Sequence, residues 1–269
     1  MINSILLQIQ TVKSLALRQA LIEIRKNPFG ITGALIEPFL FMLGFIIIRL
    51  IVNNISVGFM NPVLLFGTGF VCMLMFIKVS LSSLDGVDKS RDLVLMPRVR
   101  LLDVILGRAI YQAQVKGTSM LLLILGLSLY EWKFIDASPG ESFGLFMIIF
   151  LLAIGIGIAA LILGKLLPFI KPIVNLVFRR VLFFTSAAFL PIADTPEFAR
   201  PFLMWNPLLH GIELLRHSII PEYPVPGISL TYLLAWTFGS IGFSLLAYQK
   251  NENLILAPES SEKEDKFAD

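Results

Sequence analysis

The stretch Leu84–Arg108, LDGVDKSRDLVLMPRVRLLDVILGR, decides how this chain is read. It crowds Lys89, Arg91, Arg98 and Arg100 into one short loop, between the apolar runs Pro62–Leu84 and Ala109–Tyr130. Each run is long enough for a spanning helix, which needs about 20 apolar residues. Four further runs qualify: Gly30–Val52, Ser142–Gly164, Pro172–Ile192 and Gly227–Gln249. The expected fold is therefore an all-α polytopic membrane protein with six transmembrane helices. Composition agrees, with 56% hydrophobic and only 15% charged residues among 269, where soluble domains carry about a quarter charged residues.

Six spans place both termini on one side, and the basic residues choose which. Lys13, Arg18, Arg25 and Lys26 precede the first span, the quoted loop follows the second, and Lys165 and Lys171 separate the fourth and fifth. The opposite connections hold none in Asn53–Asn61, then Lys133, then Arg200 and Arg216. By the positive-inside rule both termini and the basic loop face the cytoplasm. No cleavable signal pattern opens the chain. The net charge of +3 is small and dispersed, which gives no footprint for nucleic acid. Cys72, the sole cysteine, lies in an apolar run, so neither a disulfide nor a cysteine metal site is expected.

Three regions flank or interrupt the spans. Residues 1–29 contain a helix from Ile5 to Lys26, ended by Asn27-Pro28, that is expected to lie along the inner interface or to lead in from the cytosol. Residues 250–269 form an acidic, polar tail expected to be disordered. The third region, Asp194–Pro226, precedes the last span. Asn206-Pro207 is an N-cap and first-turn pair, and the helix it starts carries Leu208, Ile212, Leu215 and Ile219 on one face before Pro221 stops it. That helix is only about 21 Å long, too short for a hydrocarbon core of about 30 Å. With the segment from Thr195-Pro196 to Trp205 it reads as a hairpin dipping into the outer membrane edge. An ordinary amphipathic external loop is the alternative.

Glu37, Arg49, Lys78, Lys116, Arg179 and Arg180 fall inside apolar spans, where a charge at mid-depth costs several kcal/mol. Arg49 and Lys78 lie near span ends and are expected to snorkel. Arg108, Gln112 and Lys116 are spaced four apart and share a helical face. With Arg179 and Arg180 they would line a cytoplasm-facing cavity suited to an anionic substrate, or else meet headgroup phosphates. Ala153, Gly157, Ala160 and Gly164 follow the small-xxx-small spacing of close helix contacts. No GxxxxGK[ST] loop is present, so ATP is not bound by that device. His210, Glu213 and His217 share a helix face and would suit a metal on paper, but match no HExxH order. Arg216 is available to pair with Glu213.

This layout resembles the permease subunit of type-2 ABC exporters. Within that group, LMPRVRLLDVILGRAI (Leu95–Ile110) and WNPLLHGIELLRHSI (Trp205–Ile219) look like the bacterial capsular polysaccharide exporters, with O-antigen exporters close by. The resemblance covers roughly Leu15 to Tyr248. It implies a homodimer in the bacterial inner membrane, two copies of a separate ATP-binding subunit, no cofactor on this chain, and a lipid-linked polysaccharide as cargo. Periplasmic co-polymerase and outer-membrane export components would be further partners. It also implies a coupling loop at 85–103, with Asp85, Gly86, Asp88, Lys89, Arg91 and Asp92 meeting the ATPase together with Arg18 and Arg25. Arg108, Gln112, Lys116, Arg179 and Arg180 would lie on the substrate path, with Tyr232 and Trp236 offering rings to sugars. The hairpin at 194–226 would be an outer gate carrying Trp205, Asn206, Pro207, His210, Glu213 and His217. Competing readings are a drug or lipid exporter of the same type, an intramembrane metalloenzyme using His210, Glu213 and His217, and a passive membrane scaffold.

Overall fold

The computed structural model describes residues 2–26, 29–51, 60–86, 99–131 and 138–256, and among these no residue is in a strand. Helices α1 (Ile2–Lys26), α2 (Gly30–Ile51), α3 (Pro62–Leu84), α4 (Leu101–Glu131) and α5 (Pro139–Leu166) follow in order, and α10 (Leu230–Leu256) is the last of the described elements. Five of the described helices are long and apolar enough to cross a membrane, over Gly30–Ile48, Pro62–Leu84, Leu101–Tyr130, Pro139–Leu166 and Leu230–Glu252.

The expected span Pro172–Ile192 is not a single α-helix. A 3-10 turn at Pro168–Ile170 leads into α6 (Lys171–Leu176), a π turn occupies Val177–Val181, and α7 (Leu182–Thr185) ends the helical run. Pro168 and Pro172 bring no amide donors to the ladder. Beyond Thr185, Ala187 adopts φ 57, a left-handed conformation costing about 1–2 kcal/mol for a residue with a Cβ. Where the hairpin was expected stand two short helices, α8 (Arg200–Leu203) and α9 (Pro207–Ile219).

Helix α3 is the centre of the bundle. Its residues from Leu64 to Ile77 are buried without interruption, as a helix apolar on every side requires. Helices α4 and α5 both pack on α3, and α10 packs on the far side of α5. The small residues of α5 serve that contact. A Cβ on Gly157 would lie 2.9 Å from Ser80 Cα of α3, so only glycine permits this approach. Serine hydroxyls bind the closed seams, Ser80 Oγ donating to Ala153 O at 3.1 Å and Ser244 Oγ to Gly155 O at 2.6 Å.

Helix α1 lies against α4 through Leu15 and Ala16, which meet Val104, Tyr111 and Val115. Gln8 Nε2 donates to Asp103 Oδ1 at 3.1 Å, while Asp103 Oδ2 accepts the Arg100 amide at 3.1 Å and caps the start of α4. Leu6, Leu7, Leu17, Leu21 and Ile24 point outward from α1, a surface suited to lipid. Helix α10 continues through residues expected as tail, bending where Asn251 has φ -115. The remainder of that tail, 257–269, lies outside the described residues, as do Asp88, Lys89, Arg91 and Asp92.

The α3–α5 seam makes a direct test. Gly157→Leu is expected to overpack it at a cost of about 1–3 kcal/mol, read as a lower thermal midpoint of the detergent-solubilised protein. Gly144→Leu on the same helix, where a Cβ meets nothing within 4 Å, leaves the midpoint unchanged.

Candidate functional site

Pro38 sits inside α2 and has no amide to give Ala34, so the Ala34 carbonyl loses its helical partner in an apolar span. Lys116 of α4 replaces it, with Nζ donating to Ala34 O at 2.7 Å. The same ammonium donates to Glu37 Oε2 at 2.8 Å, and one turn on, Ser119 Oγ donates to Leu35 O at 3.0 Å. Glu37 Oε2 also accepts from Lys78 Nζ of α3. One carboxylate thus serves two cations from two neighbouring helices. They differ in exposure: the Lys116 side chain is 0% exposed and that of Lys78 is 31%. Lys78, which was expected to snorkel, pairs with Glu37 of α2 and stays partly exposed.

Lys78 and Glu37 open onto a cleft of about 970 Å³ at the α1 end of the bundle. Gln19 and Glu23 of α1, Ser82, Asp85, Arg108, Gln112 and Arg179 complete its polar lining. Three of the residues expected on a substrate path, Arg108, Gln112 and Arg179, therefore meet in one cavity. Two cations expected there do not line it. Lys116 is enclosed behind the wall as the clamp on α2, and Arg180, the neighbour of Arg179 on the π turn, points elsewhere. The lining is also more balanced than basic spacing implied, since Glu23, Glu37 and Asp85 face Lys78, Arg108 and Arg179. Towards the bundle interior Phe41 and Phe183 close the cleft. They belong to a phenylalanine cluster in which Phe45 lies 5.2 Å from Phe70 and 5.5 Å from Phe189, and Phe183 lies 5.8 Å from Phe189.

Tyr232 and Trp236 lie at the other end. Tyr232 Oη donates to Trp205 O at 2.8 Å, its ring centroid is 4.7 Å from that of His210, and Trp236 stands 6.3 Å beyond. There α9 is embedded in protein, with Leu208, Ile212, Leu215 and Ile219 all buried as the spacing required. Asn206 caps it as expected, Oδ1 accepting the Leu208 amide at 3.0 Å, while its Nδ2 donates to Thr185 O at 3.1 Å and ties α9 to α7. Pro207 occupies the first turn and Trp205 is exposed beside it.

Arg216 anchors this helix. It is fully buried, with Nη1 donating to Glu213 Oε1 at 2.9 Å and Nη2 to Leu65 O at 2.9 Å and Ala188 O at 3.0 Å. Tyr223 Oη donates to Glu213 Oε2 at 3.0 Å. A Cβ on Gly69 would stand 2.6 Å from Arg216 Nη2 and 2.3 Å from Ala188 O, so the guanidinium reaches its acceptors only across a glycine. Burial pushes the Glu213 carboxyl above the usual carboxylate range, against the pull of Arg216.

His210, Glu213 and His217 do not converge. His210 Nε2 donates to Met204 O at 2.8 Å and Nδ1 accepts the Ser229 amide at 3.1 Å, while His217 Nδ1 donates to Tyr223 O at 2.9 Å. Among the described residues no three His, Cys, Asp or Glu side chains are grouped to hold a metal. Of the residues expected at a coupling surface, Asp85 and Gly86 turn the chain out of α3, their amides donating to Leu81 O at 3.0 Å and Ser83 O at 2.9 Å. Arg18 and Arg25 are exposed on α1. Sequence reasoning missed the Glu37–Pro38 pair as a site. Its signal was a proline next to a carboxylate in an apolar run, which announces a freed carbonyl and a charge needing a partner.

A family model described as ABC-2 type transporter matches residues 11–220. The chain is similar to the polysialic acid transport protein KpsM of Escherichia coli, 25% identical over 249 residues that cover 91% of this chain and 95% of that one. It is similar to the capsule polysaccharide export inner-membrane protein BexB of Haemophilus influenzae, 23% identical over 235 residues, covering 86% and 87%. A capsule polysaccharide export inner-membrane protein of Neisseria meningitidis serogroup A, CtrC, is 21% identical over 216 residues, covering 80% and 81%.

Two measurements check this geometry. Glu37→Gln leaves the buried Lys116 ammonium without a counter-ion, a loss of about 3–5 kcal/mol, whereas Lys116→Met leaves Glu37 paired with Lys78 and strands only the Ala34 carbonyl, about 1–3 kcal/mol. The thermal midpoint should fall further in the first variant. Burial holds His210 below its usual pKa of 6.5, and protonating Nδ1 would set two N–H groups against each other at Ser229. A depressed histidine contributes stability above the unfolded value that is lost as pH falls towards the folded one. Exchange of the Ser229 amide, corrected for its intrinsic pH dependence, should therefore quicken as pH falls below 6.5. In His210→Gln that acid-dependent change should be absent.

Proposed function

Because this chain belongs to the ABC-2 type transporter family, we propose that it is the membrane permease of an ATP-driven exporter of capsular polysaccharide, working as a homodimer with two separate ATP-binding subunits. The observation that supports this reading is the cleft at the α1 end, which gathers Lys78, Arg108, Gln112 and Arg179 with Glu23, Glu37 and Asp85 in one polar wall between apolar spans. Polar groups at such depth are expensive to keep and mark a path for polar cargo. The relatives named for polysialic acid transport and capsule polysaccharide export favour a polysaccharide as that cargo.

In this reading the α1 end faces the cytoplasm, which the basic residues before the first span and within 84–108 support. Cargo enters the cleft there from its lipid anchor. The phenylalanine cluster from Phe41 to Phe189 closes the far side and offers ring faces to sugars once the spans part. ATP-driven closure of the partner subunits acts on Asp85 to Asp92 and on Arg18 and Arg25 of α1, and rigid helices relay it. Helix α9 is the outer boundary of the path. Its Arg216 network holds it to α3 and to Ala188, so opening at that end displaces the exposed Phe198–Trp205 segment ahead of α9 itself. The chain performs no bond chemistry.

Charge reversal at Lys89 and Arg91 is expected to abolish co-purification of the ATP-binding subunit while the permease remains inserted. Co-purification at the wild-type level with normal surface polysaccharide would count against the coupling role. Deleting the chain should remove polysaccharide from the cell surface and leave it inside the cell, as antibody labelling of intact and permeabilised cells would register.

A further inference from the structure

The group formed by Glu37, Lys78 and Lys116 carries two positive charges for one negative. The two cations are not equivalent. Lys116 is held by two acceptors, Glu37 Oε2 and Ala34 O, in a place without solvent exposure, and its departure would strand the carbonyl that Pro38 frees. Lys78 has Glu37 as its one acceptor among the described residues, stands nearly a third exposed and lines the cleft. Lys78 can therefore leave Glu37 without stranding a charge, because Lys116 stays. A negative group entering the cleft would bring the set to neutrality. Among the other charges of the wall Glu23 and Asp85 match Arg108 and Arg179 in number, so the surplus positive charge resides at this group.

We propose that Lys78 is an exchangeable anion-binding residue of the cleft, resting on Glu37 in this structure and passing to a carboxylate or phosphate oxygen of the cargo while Lys116 keeps Glu37 neutralised. The inference rests on the cleft being the cargo path. It assigns specificity for acidic over neutral polymers to one side chain on α3, with Arg179 across the cleft as a second cation for the same chain of charges. Glu37 acts as the competitor: it keeps the lysine from pairing permanently with any passing anion, which a transport path requires, since cargo must leave as readily as it enters.

The test uses the full chain in phosphatidylcholine nanodiscs, with oligogalacturonate as a carboxylate-bearing probe and a maltooligosaccharide of equal length as the neutral control. The wild type should bind the acidic oligomer more tightly, and increasingly so as salt is lowered. Lys78→Met, which leaves Glu37 and Lys116 as a neutral pair, should elute as the wild type and lose about tenfold in acidic-oligomer affinity. Lys78→Arg should restore most of it. Equal binding of the two oligomers, or unchanged affinity in Lys78→Met, overturns the proposal. Discs containing phosphatidylglycerol form the second arm. If that lipid suppresses oligomer binding in the wild type and Lys78→Met no longer responds to it, the ligand is a headgroup phosphate and the assignment to cargo is overturned. The exporter reading fails separately, in the surface-polysaccharide measurement on the deletion strain, which does not depend on Lys78.

Discussion

A backbone carbonyl that loses its helical partner inside a hydrocarbon layer has no water to turn to, and this constraint organises the bundle. Among the described residues helical order is interrupted at Pro38 and again beyond Thr185, and at each place a charged side chain from another helix binds a backbone carbonyl. At Pro38 the freed Ala34 carbonyl takes Lys116 of α4, with Ser119 one turn on. At the end of α7, where Ala187 turns left-handed, the Ala188 carbonyl takes Arg216 of α9. Neither cation is left unbalanced, since Glu37 answers the first and Glu213 the second. The charges that look most out of place in an apolar sequence are thus the ones that make irregular backbone tolerable there.

That arrangement separates structure from function within one group of residues. Lys116 and Arg216 are wholly enclosed and hold helices together. Lys78, Arg108 and Arg179 reach the cleft, where a polar cargo could meet them. The phenylalanine cluster lies directly behind the cleft and packs α2, α3 and α7 through ring contacts rather than hydrogen bonds. Contacts of this kind carry little direction, so they can be remade when the helices shift.

Much of this was legible in the chain alone. The short helix from Pro207, its Asn206 cap and its buried face could be read from spacing, because capping and amphipathic periodicity are local properties. The pairing of Arg216 with Glu213 followed from an i, i+3 separation on the same helix. Arg108, Gln112 and Arg179, placed together on a path by the sequence, line one cleft. Placing Lys116 beside them was an error of direction: it shares a face with Arg108 by periodicity, but α2 covers that part of α4. The continuous span over Pro172–Ile192 was expected from hydropathy, which does not register how two prolines and a left-handed alanine divide a helix. Tyr232 and Trp236 were read as lining from residue type, and Tyr232 stands against His210 of α9 with Trp236 beside it.

By itself the sequence determined that the chain is a helical membrane protein, where α2, α3 and α9 run, and which family it resembles. These depend on the length of apolar runs, on caps and on prolines, all of which act within a few residues. Only the tertiary structure decided which charge is a clamp and which faces the cleft. A lysine at a given depth has one identity in the sequence and two possible fates, and the choice rests on its neighbours. Glu37, Lys78 and Lys116 come from three helices separated by 41 and 79 residues of chain. Their roles are set by the packing of α2 against α3 and α4, which no local pattern encodes.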